Sequence, residues 1–141
     1  MAAHLRDAIQ WIVGQINGDA TLTSLGLQKA WTNSPPERTA FPYVIIKKQT
    51  GKHDHGLGNA ELFNSHWLAI KCVDTGFDGG DRARQVMDRV RTLINHQRPT
   101  LSSGGYTIAI LASNDFEYDE QENGNNNFYH VVTVYMIQLG D

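Results

Sequence analysis

The chain has 141 residues, the size of one ordinary domain. Its net charge is −3, with Lys and Arg scattered and no basic stripe, which argues against a specific grip on nucleic acid. An apolar content of 40% supports one packed core, and a charged content of 19% argues against disorder.

The single cysteine, Cys72, cannot form an internal disulfide, so nothing points to an oxidising compartment. Met1 to Gln10 lacks the basic start and apolar run of a signal peptide. No apolar run approaches the roughly 20 residues that span a bilayer. The expectation is a protein made and folded in a cytoplasm, without a membrane role.

Residues 3–17 are predicted as an amphipathic helix, because Leu5, Ala8, Ile9, Ile12, Val13 and Ile16 recur at three- and four-residue spacing. Asn17-Gly18 supplies a stop signal. Leu22, Leu25 and Leu27 add one helical turn, and Thr32 to Thr39 is a loop marked by Asn33-Ser34-Pro35-Pro36. Phe41 to Gln49 is predicted as the first strand, Thr50 to Ala60 as a polar glycine-containing loop, and Glu61 to Asp74 as the second strand of a hairpin.

Asp74 to Gly80 is turn chemistry. Asp81 to Asn95 is the second helix, with Ala83, Val86, Met87, Val90, Leu93 and Ile94 as its apolar stripe. Arg82, Arg84, Arg89 and Arg91 fall mostly off that stripe and read as a solvated face. Tyr106 to Ala112 is the third strand, Asn114 to Asn127 an acidic, asparagine-rich loop or frayed extension, and Phe128 to Leu139 the final strand. The predicted fold is α+β: one domain over residues 1–141, a four-stranded mixed or antiparallel sheet, and two helices packed on one face.

The strand faces carry more information. In the last strand Phe128, His130, Val132, Val134 and Met136 share one side, and Tyr129, Val131, Thr133, Tyr135 and Ile137 the other. In the second strand Leu62, Leu68, Ile70 and Cys72 oppose Phe63, Trp67, Ala69 and Val73. Both faces are largely apolar, so both need cover. Two helices cover one face of four strands. The other is then an exposed apolar patch, the usual mark of a protein–protein contact. The alternative is that segments 27–40 and 113–127 fold over it.

Sites for chemistry are weak. His53-Asp54-His55 is the most metal-like cluster, but no third His or Cys stands at ligand spacing, and neither HExxH nor CxxC occurs. Gly51 to Gly58 lacks the Gly-Lys-Ser/Thr of a phosphate loop. Asp115, Glu117, Asp119, Glu120 and Glu122 do not follow EF-hand spacing and read as a solvated surface or one that faces a basic partner. His66, His96 and His130 read as packing residues, and Cys72, mid-strand, as buried and inert. No catalytic residue, metal or cofactor is expected.

One resemblance covers nearly the whole chain. An N-terminal amphipathic helix precedes Phe41-Pro42-Tyr43-Val44-Ile45-Ile46, a long hairpin loop and the strand His66-Trp67-Leu68-Ala69-Ile70-Lys71-Cys72-Val73. The helix Arg82 to Val90 and a closing Val131-Val132-Thr133-Val134 strand follow. This order resembles the tail terminator, or tail completion, proteins of long-tailed bacteriophages. The polar stretch Glu122 to Asn127 departs from that pattern.

The resemblance implies a non-enzymatic virion subunit, assembled in the host cytoplasm, that forms a ring, typically a hexamer. Such a ring caps the tail tube protein, stops its polymerisation and meets the head–tail connector protein. Genomic DNA passes through the lumen without specific binding. The expected subunit or partner contacts are His53, Asp54 and His55 in the hairpin loop, Trp67, Tyr129 and Tyr135 on the two-faced strands, and Glu117, Asp119 and Glu120, whose charge would repel DNA phosphates. Other readings are a different phage neck or tail-tube component, a metal-dependent enzyme using His53 and His55, and a monomeric ligand-binding domain.

Overall fold

The N-terminal apolar stripe is realised as helix α1, Ala2–Asn17, which buries Ala8, Ile12 and Ile16 and half-buries Leu5, Ile9 and Val13. The structure is a computed structural model and describes residues 2–55, 61–76, 79–122 and 126–140. A one-turn helix α2, Ala20–Ser24, follows, with Asp19 as its N-cap accepting from the Leu22 amide at 3.0 Å. Of the leucine cluster only Leu22, fully buried, lies within the turn; Leu25 is its C-cap and Leu27 follows it.

Five strands form one mixed sheet. They are β1 (Ala30–Thr32), β2 (Tyr43–His55), β3 (Glu61–Thr75), β4 (Tyr106–Glu122) and β5 (Asn126–Gly140), in the spatial order β1-β2-β3-β5-β4. β1 runs parallel to β2, and all other neighbours are antiparallel. Helix α3, Gly79–Ile94, connects β3 to β4.

The α+β class and the mixed sheet agree with expectation, while the count of four strands and two helices becomes five and three. The missing strand is β1. Three residues are too few to show a period, and they are held by pairing with Val44 to Ile46 and by the Asn17 side chain, whose Oδ1 accepts from the Ala30 amide at 2.9 Å.

One predicted loop, at 50–55, is corrected, and of the two readings of 114–127 the strand extension holds over 114–122. Residues 50–55 belong to β2, and residues 114–122 belong to β4. Glycines, asparagines and acids lower local strand propensity, but cross-strand pairing overrides it. Residues 56–60 and 123–125 lie outside the described residues. β4 carries two register shifts, one between Thr107 and Ala109 and one between Ala112 and Asn114. The second falls where its apolar half gives way to its acidic half.

α1 and α3 share one face of the sheet. Their buried residues merge with Val44, Ile46, Leu68, Ile70, Cys72, Tyr135, Ile137 and Leu139 into one core. Burying each such Ile, Leu or Val side chain contributes roughly 1.5–3 kcal/mol.

The α3 arginines stay partly exposed, as their sequence position implies, but each also makes a specific ion pair. Arg82 Nε and Nη2 donate to Asp74 at 2.6 and 2.7 Å, and Arg84 Nε donates to Glu117 at 2.7 Å. Arg89 donates to Asp19 at 2.9 and 3.0 Å, and Arg91 Nη2 to Asp115 at 2.5 Å. The four arginines reach three elements, Arg84 and Arg91 both meeting β4, so together they tie α3 to β3, β4 and the α2 cap.

A candidate assembly surface

The sheet face opposite the helices is built from period-two alternation. Rows across β2, β3, β5 and β4 read Tyr43–Val73–His130–Tyr118, Ile45–Lys71–Val132–Phe116, Lys47–Ala69–Val134–Asn114 and Thr50–Trp67–Met136–Leu111. Central side chains, Val132 and Val134 among them, are buried. Toward β4 the face opens: Phe116 is 43% and Tyr118 42% exposed, and Tyr106 at the far end is 49% exposed.

Among the described residues no helix packs on this face, because the buried parts of α1 and α3 belong to the opposite core. The segment 113–127 does not fold over it either, since most of it is β4 and β5. Segment 27–41 does reach the face in part: Trp31 extends the Ile45 row on β1, Asn33 lines the depression beside Phe116 and Val132, and the Phe41 ring lies 5.2 Å from Tyr43 and 5.6 Å from Phe128.

One polar cluster interrupts the apolar surface. The His130 ring stacks on Tyr118 at 4.3 Å and 7°, and His130 Nε2 lies 2.5 Å from Glu120 Oε1. Lys71 Nζ donates to the Tyr118 hydroxyl at 3.4 Å. Burial, and then the Lys71 charge, hold the His130 pKa below the ordinary histidine value, against the pull of Glu120. Beside this cluster a shallow depression of about 210 Å³ is lined by Ile45, Lys47, Lys71, Phe116 and Val132. It is open and mostly apolar, a shape suited to a protein side chain.

The residues singled out from sequence are dispersed. Trp67 stands on the open face, half-buried, and Glu120 reaches the same face at its exposed end. Glu117 lies on the helix side with Arg84, and Asp119 is exposed in the same alternation. Tyr129 packs beside Gly80 at the start of α3. Tyr135 has no exposed surface, and burial pushes its hydroxyl pKa up to about 12, so it fills its own core and has nothing to offer a neighbour. The backbone of His53, Asp54 and His55 is the end of β2, not a loop tip, and their side chains lie outside the described residues. The three carboxylates therefore do not form one wall: Glu117 is neutralised within the chain, and Glu120 faces the other way.

Phe116 and Tyr118 are the functional candidates that sequence reading passed over. Their signal was present: aromatic Phe116 and Tyr118 alternate with acidic Asp115, Glu117 and Asp119, which is strand periodicity. His66 and His130 are buried as expected of packing residues, whereas His96 is an exposed turn residue with φ of 64°. Burial pushes the Cys72 thiol pKa well above its ordinary value, in keeping with an inert thiol. Among the described residues no three His, Cys, Asp or Glu side chains converge as a metal site. No described helix is long and apolar enough to cross a membrane.

Neither protein-family models nor curated proteins match this sequence. A chain of the virion of a native gene transfer agent particle does match in structure, with a TM-score of 0.65 and 16% sequence identity. The match covers 90% of this chain and 91% of that one. The likeness is one of fold. It spans both helical and sheet layers, so the open face belongs to a fold that also occurs in a virion.

Proposed function

We propose that this chain is a structural subunit of a phage-type virion, located at the head-proximal end of the tail. In this reading, copies of it close a ring, typically of six. The ring caps the tail tube protein, ends its polymerisation and offers a surface to the head–tail connector protein. Genomic DNA passes through without specific binding, and the subunit performs no chemistry.

The observation that carries the reading is the open sheet face. It spans four strands, its central valines are already buried, and its exposed apolar surface is that of Phe116 and Tyr118 toward β4. Exposed apolar area of this kind is covered by protein in a working assembly. The shared fold with a gene transfer agent virion chain supports the virion setting. Trp67 on the open face and Asp119 and Glu120 at its acidic edge are the contacts retained from the sequence reading, together with His53, Asp54 and His55 at the end of β2.

The test is a tube-growth assay. Purified tail tube protein is polymerised with and without this chain, and tube lengths and ends are measured by negative-stain imaging. Short tubes bearing a ring at one end are expected. Unchanged tube lengths with bare ends would sink the proposal, and long tubes formed by this chain alone would make it a tube subunit instead.

A further inference from the structure

Both edges of the sheet are half covered by the chain itself. On the β2 edge, β1 pairs with Val44 to Ile46 and the Asn33 amide donates to the Ile46 carbonyl at 3.0 Å. Beyond that, Lys47 to His55 has no strand alongside among the described residues. On the β4 edge, Thr100 bridges Tyr106 and the His96 amide donates to the Ile110 carbonyl at 2.8 Å. The Ala112 amide then donates to Asn95 Oδ1 at 2.8 Å. After the register shift at Asn114, the segment Asn114 to Glu122 has no outer strand among the described residues.

These bare segments match. Each is nine residues long (47 to 55 and 114 to 122). The first carries Lys47, Lys48 and Lys52 against one acid, Asp54; the second carries five acids and no base, of which Asp115 and Glu117 are answered by Arg91 and Arg84 of the same chain, so its surplus negative charge comes from Asp119, Glu120 and Glu122. An unpaired edge is a template for another strand, and like charge along it blocks pairing with its own copy. Here β2 repels β2 and β4 repels β4, while β2 attracts β4.

We infer that the partner for each bare edge is a second copy of this chain, with the Asn114–Glu122 edge of one copy adding to the Lys47–His55 edge of the next. This rests on the ring reading above and names its joint. Direction is consistent: β2 is antiparallel to β3, β3 to β5 and β5 to β4, so β4 runs antiparallel to β2 within one chain. Copies related by rotation about an axis along the sheet therefore meet β4 to β2 as an antiparallel pair, the arrangement of neighbouring strands elsewhere in this sheet. The contact uses different surfaces on the two sides, as head-to-tail rings do.

The geometry also fixes a stagger. Lys47 and Asn114 lie in one row of the sheet, through Ala69 and Val134. The bare part of β2 extends from that row to one end, and the bare part of β4 to the other. Full pairing then steps each copy along the strands by eight residues, roughly 27 Å at about 3.4 Å per residue. A smaller step drives the Asn95–Leu101 cover of one copy into the β2 edge of the next. A closed ring of such copies has strands inclined to its axis.

The experiment is charge exchange read by native mass spectrometry and sedimentation of the full chain. One variant is Lys47→Glu with Lys48→Glu; the other is Asp119→Lys with Glu120→Lys. Each alone presents like charge at both edges and should need about a hundredfold or more higher concentration to assemble. Mixed in equal amounts they should assemble again, alternating in even-numbered rings. Amide exchange on the wild type should show outward-facing amides in Lys47–Gly51 and Asn114–Gln121 slowed at least tenfold on assembly. If wild type assembles but neither variant weakens assembly, or the mixture gives no rescue, the edge joint is wrong and the ring reading stands. If wild type remains a monomer at every concentration and on tail tubes, both fall.

Discussion

Removing the Arg82 guanidinium should destabilise the fold far more than removing any exposed arginine. Asp74 has no side-chain exposure, whereas Arg82 is 40% exposed. The carboxylate receives two guanidinium hydrogen bonds, at 2.6 and 2.7 Å, and one from the Thr75 amide at 2.8 Å. Arg82→Ala leaves a buried carboxylate with the single backbone donor. Breaking a buried pair in this way costs about 3–5 kcal/mol. For a domain whose total stability is of order 5–15 kcal/mol, that is a large fraction. At roughly 3 °C per kcal/mol for a chain of this size, the melting temperature should fall by about 9–15 °C.

Urea and thermal unfolding followed by circular dichroism measure this directly. Arg84→Ala is the internal control, because its pair with Glu117 is about half exposed on both sides and should cost under about 1 kcal/mol. Asp74→Asn with Arg82→Ala removes the stranded charge and should recover part of the loss. An Arg82→Ala protein within about 1 kcal/mol of wild type would refute the claim that this pair pins β3 to α3.

Asp19 caps α2 and holds Arg89, and that arginine is the main cause of its lowered pKa. A lowered folded-state pKa means stability present above the ordinary carboxylate value of 3.8 and lost as pH falls below it; Asp19→Ala should cost about 1 kcal/mol at neutral pH and flatten that acid limb in pH-dependent urea titrations. His130 has a linkage of the same sign at higher pH: its lowered pKa means the unfolded chain binds the proton more readily, so stability should decline as pH drops below the ordinary value of 6.5, and a ring-proton NMR titration should give a midpoint under that value. The Cys72 thiol should react with alkylating reagents only at the rate of unfolding, so fast labelling of native protein would contradict its burial. Phe116→Asp with Tyr118→Asp should lower the unfolding midpoint modestly, through loss of the Tyr118–His130 stack, and abolish assembly, since both rings are over 40% exposed in the single chain.

Sequence periodicity was sufficient where the pattern was long and one-sided. α1, α3, β3 and β5 were legible because Ile12, Val86, Leu68 and Ile137 recur at the spacing of their buried faces. β1 was not, because three residues in parallel register depend on β2 and on the Asn17 side chain. The far halves of β2 and β4 were hidden for a different reason. Acids at Asp115 and Glu117 look solvated until α3 supplies Arg91 and Arg84, 24 and 33 positions away in sequence. The surface itself was half legible. Two apolar strand faces imply an open one, but periodicity does not show that Tyr135 lies on the core side, and the acids around Phe116 and Tyr118 mask their shared face.

The most direct test of the open face as an assembly surface is hydroxyl-radical footprinting of Phe116 and Tyr118 in the isolated chain and in the assembled state. Both rings should label readily in the isolated chain and lose most of that labelling on assembly. Equal labelling in the two states would mean that the face stays bare, and the account built on it would be wrong.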